Sequence, residues 1–216
     1  MIDRVTGVAI KPVSRLPVPQ GDIVEGKRLS PTQPFSVRMP SFRGPDLREA
    51  DMWGITPIDQ MICRLQFARS RYEDHLTPLT LGRLTITSQG YGGGSKWGSS
   101  SVDIDRGILI TNTNRMTLIT REEAEREGVH VYSGKGAPST ARPQMNTPYA
   151  ITGGPFLSTI TAAPCIRPPY GGLTATALAT GRVIWTKPLG TARDSGPFGI
   201  SSHLPVEMAP QWCAAH

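Results

Sequence analysis

The sequence predicts an all-β chain with two short helices and long loops. Three observations carry this. The 216 residues include 23 Gly and 20 Pro, about a fifth of the chain, against a usual share of about 12%. Pro breaks helix interiors and Gly weakens them, which excludes a helical bundle or coiled coil. Short apolar-polar alternations recur between Thr-Gly and Asp-x-Gly turns, the pattern of strands joined by hairpins. No Gly-X-Y period suggests collagen. No apolar run approaches the roughly 20 residues of a membrane helix, and Met1-Ile2-Asp3-Arg4 does not open a secretory signal.

The elements follow in order. Residues 2–7 read as a turn, with Asp3 and Thr6-Gly7, feeding a strand at Val8-Ala9-Ile10. Residues 12–46 hold seven prolines and must be extended or irregular. Thr56 caps a helix over about 57–72, with Pro57 at its first position and Asp59 at its third. Ile58, Ile62, Leu65 and Tyr72 follow helical spacing, with Arg64, Arg69 and Arg71 on a solvated face. Leu84–Thr87 alternates as a strand, and Gly90–Ser95 is a glycine-rich loop. Ser101–Asp105 and Gly107–Asn112 form two strands about an Asp105-Arg106-Gly107 turn. Thr120 and Glu123 make a capping box for a second helix, 121–127, stopped by Gly128. Leu173–Leu178 and Arg182–Trp185 are strands joined by Ala179-Thr180-Gly181. The Thr-Gly turn thus recurs at both ends of the chain, hinting at a repeated strand–turn–strand unit.

Net charge is +6, but Lys and Arg are scattered singly, as on a solvated mixed surface. Cys63, Cys165 and Cys213 include no CxxC, which excludes a zinc ribbon or thioredoxin-type motif. A Cys63–Cys165 bridge would need an oxidising compartment. His75, His130, His203 and His216 are isolated, and no GxSxG or HExxH is present. Gly92–Lys96 lacks the strand-to-helix context of a phosphate loop. The residues worth pursuing are Trp97, after the glycine loop, and Asn112, on the following strand. A Trp ring can stack on a planar cofactor, and an Asn amide offers both donor and acceptor to a quinone or hard cation.

Several ordered phrases together resemble the membrane-bound pyrroloquinoline-quinone (PQQ)-dependent dehydrogenases of glucose, quinate and shikimate. They are DRVTG (3–7), PVPQGD (17–22), SPTQPFS (30–36), DMWGITPIDQMICRLQFARSRYE (51–73), WGSSSVDIDRGILITNTN (97–114), NTPYAITGGPFLS (146–158), Pro164-Cys165 and GRVIWTKPLGTARDSGPFGI (181–200). The resemblance covers about residues 1–208 and leaves 209–216 as a non-matching tail. It implies a partial β-propeller, about two to three blades of an eight-bladed parent. The parents carry an N-terminal membrane anchor, face the periplasm, bind PQQ with calcium or magnesium, and pass electrons from a sugar or cyclic polyol to ubiquinone. An Asp base removes the hydroxyl proton while hydride moves to the quinone.

By this resemblance Asn112, Trp97 and Lys96 face the cofactor, and Trp185 is a structural Trp between blades. No residue here matches the catalytic Asp. Lys96 stands where the family usually has an acidic residue, and Ala177 replaces the Asp of the Ala-x-Asp-x-x-Thr-Gly docking motif. The expectation is a fragment that forms one wall of a cofactor cavity and is inactive alone, a truncated, frameshifted or split gene product. Residues 12–46 should then be loose. The alternatives are a non-enzymatic β-rich binding or structural module and a non-functional remnant. No nucleic-acid partner is indicated.

Overall fold

In the computed structural model, residues 1–21, 27–81, 83–90, 94–95, 100–124, 142–143 and 149–189 are described. The strands are β1 (Val13–Pro17), β2 (Thr32–Ser36), β3 (Thr85–Thr87), β4 (Ser100–Asp103), β5 (Ile108–Asn114), β6 (Leu118–Ala124), β7 (Arg142–Pro143), β8 (Tyr149–Pro155), β9 (Gly171–Ala177) and β10 (Val183–Pro188). One α-helix, α1 (Pro57–Arg69), and one 3₁₀ turn at Glu49–Asp51 accompany them. Every ladder between named strands is antiparallel.

Two four-stranded sheets dominate, in the orders β4-β5-β9-β10 and β3-β6-β8-β7. The two hairpins legible in the sequence, β4–β5 and β9–β10, share the first sheet. Their inner strands pair from Ile108↔Ala177 to Asn114↔Gly171. The second sheet is built mostly from the chain between those hairpins, since β5 passes to β6 through Arg115-Met116-Thr117. Among the described residues no sheet closes on itself, as a partial propeller requires.

The hairpin turns form for local reasons. In β4–β5, Asp103 Oδ1 accepts from the Arg106 amide at 3.0 Å, and Gly107 has φ +61°. The repeated Thr-Gly turns are twins. Gly7 N donates to Asp3 O at 2.9 Å and Asp3 N to Val8 O at 2.8 Å; Gly181 N donates to Ala177 O at 2.7 Å and Ala177 N to Arg182 O at 2.9 Å. Both glycines have positive φ, +72° and +74°, a backbone state that a Cβ penalises. The twins differ at the acid. Asp3 Oδ1 accepts from the Val5 and Thr6 amides and from the Thr6 hydroxyl, whereas Ala177 offers no such acceptor.

α1 begins as its sequence dictates, with Thr56 Oγ1 accepting from Asp59 N at 3.1 Å. Its buried face is not the one that apolar spacing selects. Ile58 and Leu65 are exposed, and Asp59 and Cys63 point inward. Two tethers explain the inversion. Asp59 Oδ1 accepts from the hydroxyls of Ser158 and Thr161, and Cys63 is disulfide-bonded to Cys165. Both tethers lie against the loop after β8, where the core gathers. Met52, Cys63, Ile86, Met116, Phe156, Cys165, Ile166 and Tyr170 form it, with Leu47, Phe67, Tyr72 and Ile119 packed around them.

Other expectations are corrected. Residues 121–124 are strand, not the start of a helix. Seven residues of β6 pair with β8 from Leu118↔Pro155 to Ala124↔Tyr149, and this ladder outweighs the local capping signal. Residues 125–127 lie outside the described residues. Val8–Ile10 is not a strand; an isolated Ile2↔Ala9 bridge closes the turn. The proline-rich stretch includes two extended segments that are not loose, because β1 and β2 pair from Val13↔Ser36 to Pro17↔Thr32. Its Gly21 carbonyl accepts from the buried Arg71 guanidinium at 2.6 Å. Trp185 stands on the edge strand β10, 38% exposed, with Lys187 Nζ 6.0 Å from its ring centre.

Candidate cofactor-facing site

β5 reads Ile108-Leu109-Ile110-Thr111-Asn112-Thr113-Asn114. Successive side chains of a strand point to opposite faces. Asn112 therefore shares a face with Ile110 and Asn114, and its cross-strand neighbour is Leu173. The opposite face carries Thr111 and Thr113, which join Thr174 and Thr176 of β9 in a buried threonine layer. Thr113 Oγ1 donates to Gly172 O at 3.3 Å, and the Thr174 and Thr186 hydroxyls lie 3.2 Å apart.

Asn112 Oδ1 is buried and has no hydrogen-bond partner among the described residues. The same holds for Thr111 Oγ1, Thr117 Oγ1 and Tyr170 Oη. Thr111 lies on the face of β5 opposite Asn112, Thr117 on the link that follows the strand, and Tyr170 immediately before β9. Buried polar atoms are normally satisfied, so the Asn112 acceptor marks a place where a further group would bond. Burial pushes the Tyr170 phenol well above its ordinary range, which keeps it protonated and a donor at neutral pH.

The glycine loop is tied to this strand. Gly94 N donates to Asn114 O at 2.8 Å, and Asn114 N to Gly94 O at 3.0 Å. One residue therefore separates the bridge from Asn112 on one side and from Lys96 on the other. Lys96 and Trp97 themselves lie outside the described residues, as do Cys213 and the tail 209–216. Asn112 is thus described with an unsatisfied acceptor, and the loop carrying its two expected companions is anchored at its Gly94 end. Thr111, Thr117 and Tyr170 were not singled out by the sequence. Threonines in strands and a tyrosine after Pro-Pro carry no signal until pairing places them together.

Other titratable groups have structural partners. Hydrogen bonding from Ser158 holds the Asp59 carboxyl below its ordinary range against its burial, with Thr56 and Thr161 adding to the effect. The His75 side chain is 6% exposed, with Nε2 3.3 Å from Asp46 Oδ1, but neither ring nitrogen makes a well-formed hydrogen bond. Burial, and then the nearby Arg43 charge, push its pKa down despite Asp46 and Asp74. Among the described residues no group of three or more His, Cys, Asp or Glu could hold a metal ion. No helix among them is long and apolar enough to cross a membrane.

Comparison with known proteins gives this geometry a setting. Residues 1–214 match the PQQ family described as the glucose/ethanol/alcohol dehydrogenase β-propeller domain. The chain is 42% identical over 219 residues to the glycerol dehydrogenase large subunit of Gluconobacter thailandicus, covering 96% of this chain and 30% of that protein. It is 38% identical over 204 residues to the quinoprotein glucose dehydrogenase of Escherichia coli K12, covering 92% and 25%. It is 37% identical over 214 residues to the quinate/shikimate dehydrogenase (quinone) of Acinetobacter baylyi, covering 94% and 26%. The chain therefore spans between 25% and 30% of the length of these relatives. No solved structure matches it. Agreement over nearly the whole chain, joined to open antiparallel sheets, means that this protein belongs to the PQQ-dependent glucose/ethanol/alcohol dehydrogenase β-propeller family.

Proposed function

We propose that the chain supplies part of a PQQ-dependent dehydrogenase that oxidises a sugar or polyol, and that it forms one wall of the cofactor cavity. The observation that carries this is the buried, unpartnered Asn112 Oδ1 beside the anchored glycine loop. An amide fixed in a strand presents one acceptor and two donors in a set direction. Asn112 would hold a polar edge of the cofactor, and Trp97 would cover its face by stacking. Lys96 would place a positive charge near its carboxylates. The threonine layer behind Asn112 keeps the strand rigid, and Ile110 and Leu173 help to exclude water on its own face. When bound, the quinone supplies the two-electron acceptor chemistry.

The chain's own residues bind and orient in this reading, and none removes the substrate proton. The base would come from outside this sequence, so the isolated chain is inactive. Calcium or magnesium would accompany the cofactor in this reading, and no residue of the chain is assigned to hold it. The relatives act, by their names, on glucose, quinate or shikimate, and glycerol, so the substrate would be a sugar or a cyclic or linear polyol, and the acceptor would be a quinone, ubiquinone by the family resemblance. The Cys63–Cys165 bridge favours an oxidising compartment, in keeping with the periplasmic side of the inner membrane.

Fluorescence titration of the full chain with PQQ and calcium tests the reading. Saturable quenching that weakens at least tenfold in Asn112→Leu is expected, with no oxidation of glucose, quinate or glycerol. Equal affinity in the variant would remove Asn112 from the site. Turnover by the isolated chain would overturn the assignment of the base to another part of the enzyme.

A further inference from the structure

A cleft of about 230 Å³ opens where residues 43–51 meet the β5–β6 link and the loop before β9. Four arginines line it, Arg43, Arg48, Arg115 and Arg167, against two acids, Asp46 and Asp51. The acids are engaged. Arg43 Nη2 lies 3.8 Å from Asp46 Oδ2, and Arg48 Nε lies 3.4 Å from Asp51 Oδ2. Arg115 and Arg167 make no ion pair with any described residue. Two arginines without an ion-pair partner among the described residues thus line a small concave space.

The cleft is built, not merely basic. Arg115 is held by its backbone, whose amide donates to Tyr170 O at 2.7 Å. Its side chain lies against the Gly44 turn, where an added Cβ would stand 3.0 to 3.2 Å from Nε, Nη2 and Cζ. Thr117 also lines the cleft, is 2% exposed, and has a buried hydroxyl with no partner among the described residues. An unpartnered hydroxyl beside unpaired guanidinium groups is a donor set without its acceptor.

We propose that this cleft binds a small oxyanion, a carboxylate or a phosphate, between Arg115 and Arg167, with the Thr117 hydroxyl as a further donor. The guanidinium fork matches two oxygens of either anion through parallel N–H bonds. The volume suits one such group on a small molecule and falls below that of a typical drug-sized pocket. The site uses none of Asn112, Trp97 and Lys96, the residues assigned to the quinone cofactor, and does not depend on that assignment.

Calorimetric titration of the full chain at low salt tests it, with citrate and inorganic phosphate as separate probes. Saturable one-to-one binding of at least one is expected, and the tighter probe identifies the source of the oxyanion. The double variant Arg115→Gln/Arg167→Gln should bind at least tenfold more weakly. Arg106→Gln, which removes a guanidinium paired with Asp103 in the β4–β5 turn, should bind like the original chain. Saturable binding of neither probe, or equal affinity in the double variant, overturns the proposal. Displacement of citrate by PQQ overturns it as a separate site. Should the double variant not fold, phenylglyoxal modification of the unaltered chain, read by mass spectrometry, still decides. The bound anion should protect Arg115 and Arg167 but not Arg106, and modification without protection refutes the site.

Discussion

Breaking the Cys63–Cys165 bridge should cost this chain a large part of its stability. The bridge closes a loop of 102 residues between α1 and the segment after β8. Cross-linking removes loop-closure entropy from the unfolded chain, and a loop of this length corresponds to about 4.7 kcal/mol at 25 °C. For a chain of this size each kcal/mol moves the melting midpoint by about 2–4 °C, so the expected fall is about 9–19 °C. Both sulfurs are fully buried, so the comparison uses chain reduced while unfolded and then refolded, melted beside oxidised chain. A Cys213→Ser background removes the third thiol, which could otherwise exchange. Cys63→Ala/Cys165→Ala should melt at or below the reduced protein, because it also loses core packing. Reduced and oxidised midpoints within about 3 °C would refute the reasoning, since the two segments would then be held together without the covalent link.

The twin turns give a differential test. Gly7→Ala should cost about 1–2 kcal/mol for its positive φ alone, because nothing lies within 4 Å of its added Cβ. Gly181→Ala meets the same strain and drives its Cβ into the Arg38 carbonyl oxygen, adding about 1–3 kcal/mol of overpacking; urea midpoints should separate the two. Ala177→Asp should raise the thermal midpoint by restoring the acceptor that Asp3 provides in the other turn, and Asp3→Ala should lower it. The Asp3 carboxyl is held below its ordinary range by hydrogen bonds to the amide and hydroxyl of Thr6 and the amide of Val5. Its contribution is therefore present above the unfolded carboxyl range and is lost as pH falls through the depressed folded value, so melts across that window should show the two variants converging on the original chain. His75 behaves differently at higher pH. Because its folded pKa is depressed, the unfolded chain takes up a proton first as pH drops below about 6.5, and stability falls from there. His75→Asn should flatten the midpoint between about pH 6.5 and 5.

Much of the local architecture was legible, because its causes are local. Thr56, Pro57 and Asp59 mark the helix start, and Asp103 with Gly107 marks the β4–β5 turn, through side chains within three or four positions of the backbone they serve. What depends on distant partners was not. β6 looks helical at Thr120 and Glu123 until β8 is placed beside it, and β8, with two glycines in its middle, shows little alternation of its own. The helix exposes Ile58 and Leu65 because Ser158, Thr161 and Cys165, about a hundred residues away, pin the opposite face. Asn112 was singled out by its chemistry and family position. Thr111, Thr117 and Tyr170 carry no such signal, and their buried, unpartnered oxygens emerge only once the chain is folded. Arg43, Arg115 and Arg167 likewise read as scattered surface charge, since nothing in their spacing signals that one cleft gathers them.

The interleaving of the two sheets has a consequence for synthesis. β5 pairs with β9 across about 60 residues of chain, and the second sheet must be largely made in that interval. At about 5–20 residues per second, the finished β4–β5 hairpin waits about 3–12 s for its central partner. During that time the hydrogen-bonding edge of β5 stands open beside Ile108 and Ile110, a template for any passing strand. The β9–β10 hairpin, arriving last, completes the sheet and covers that edge. Premature release before β9 emerges leaves a product primed for aggregation, whereas release just after β10 does not.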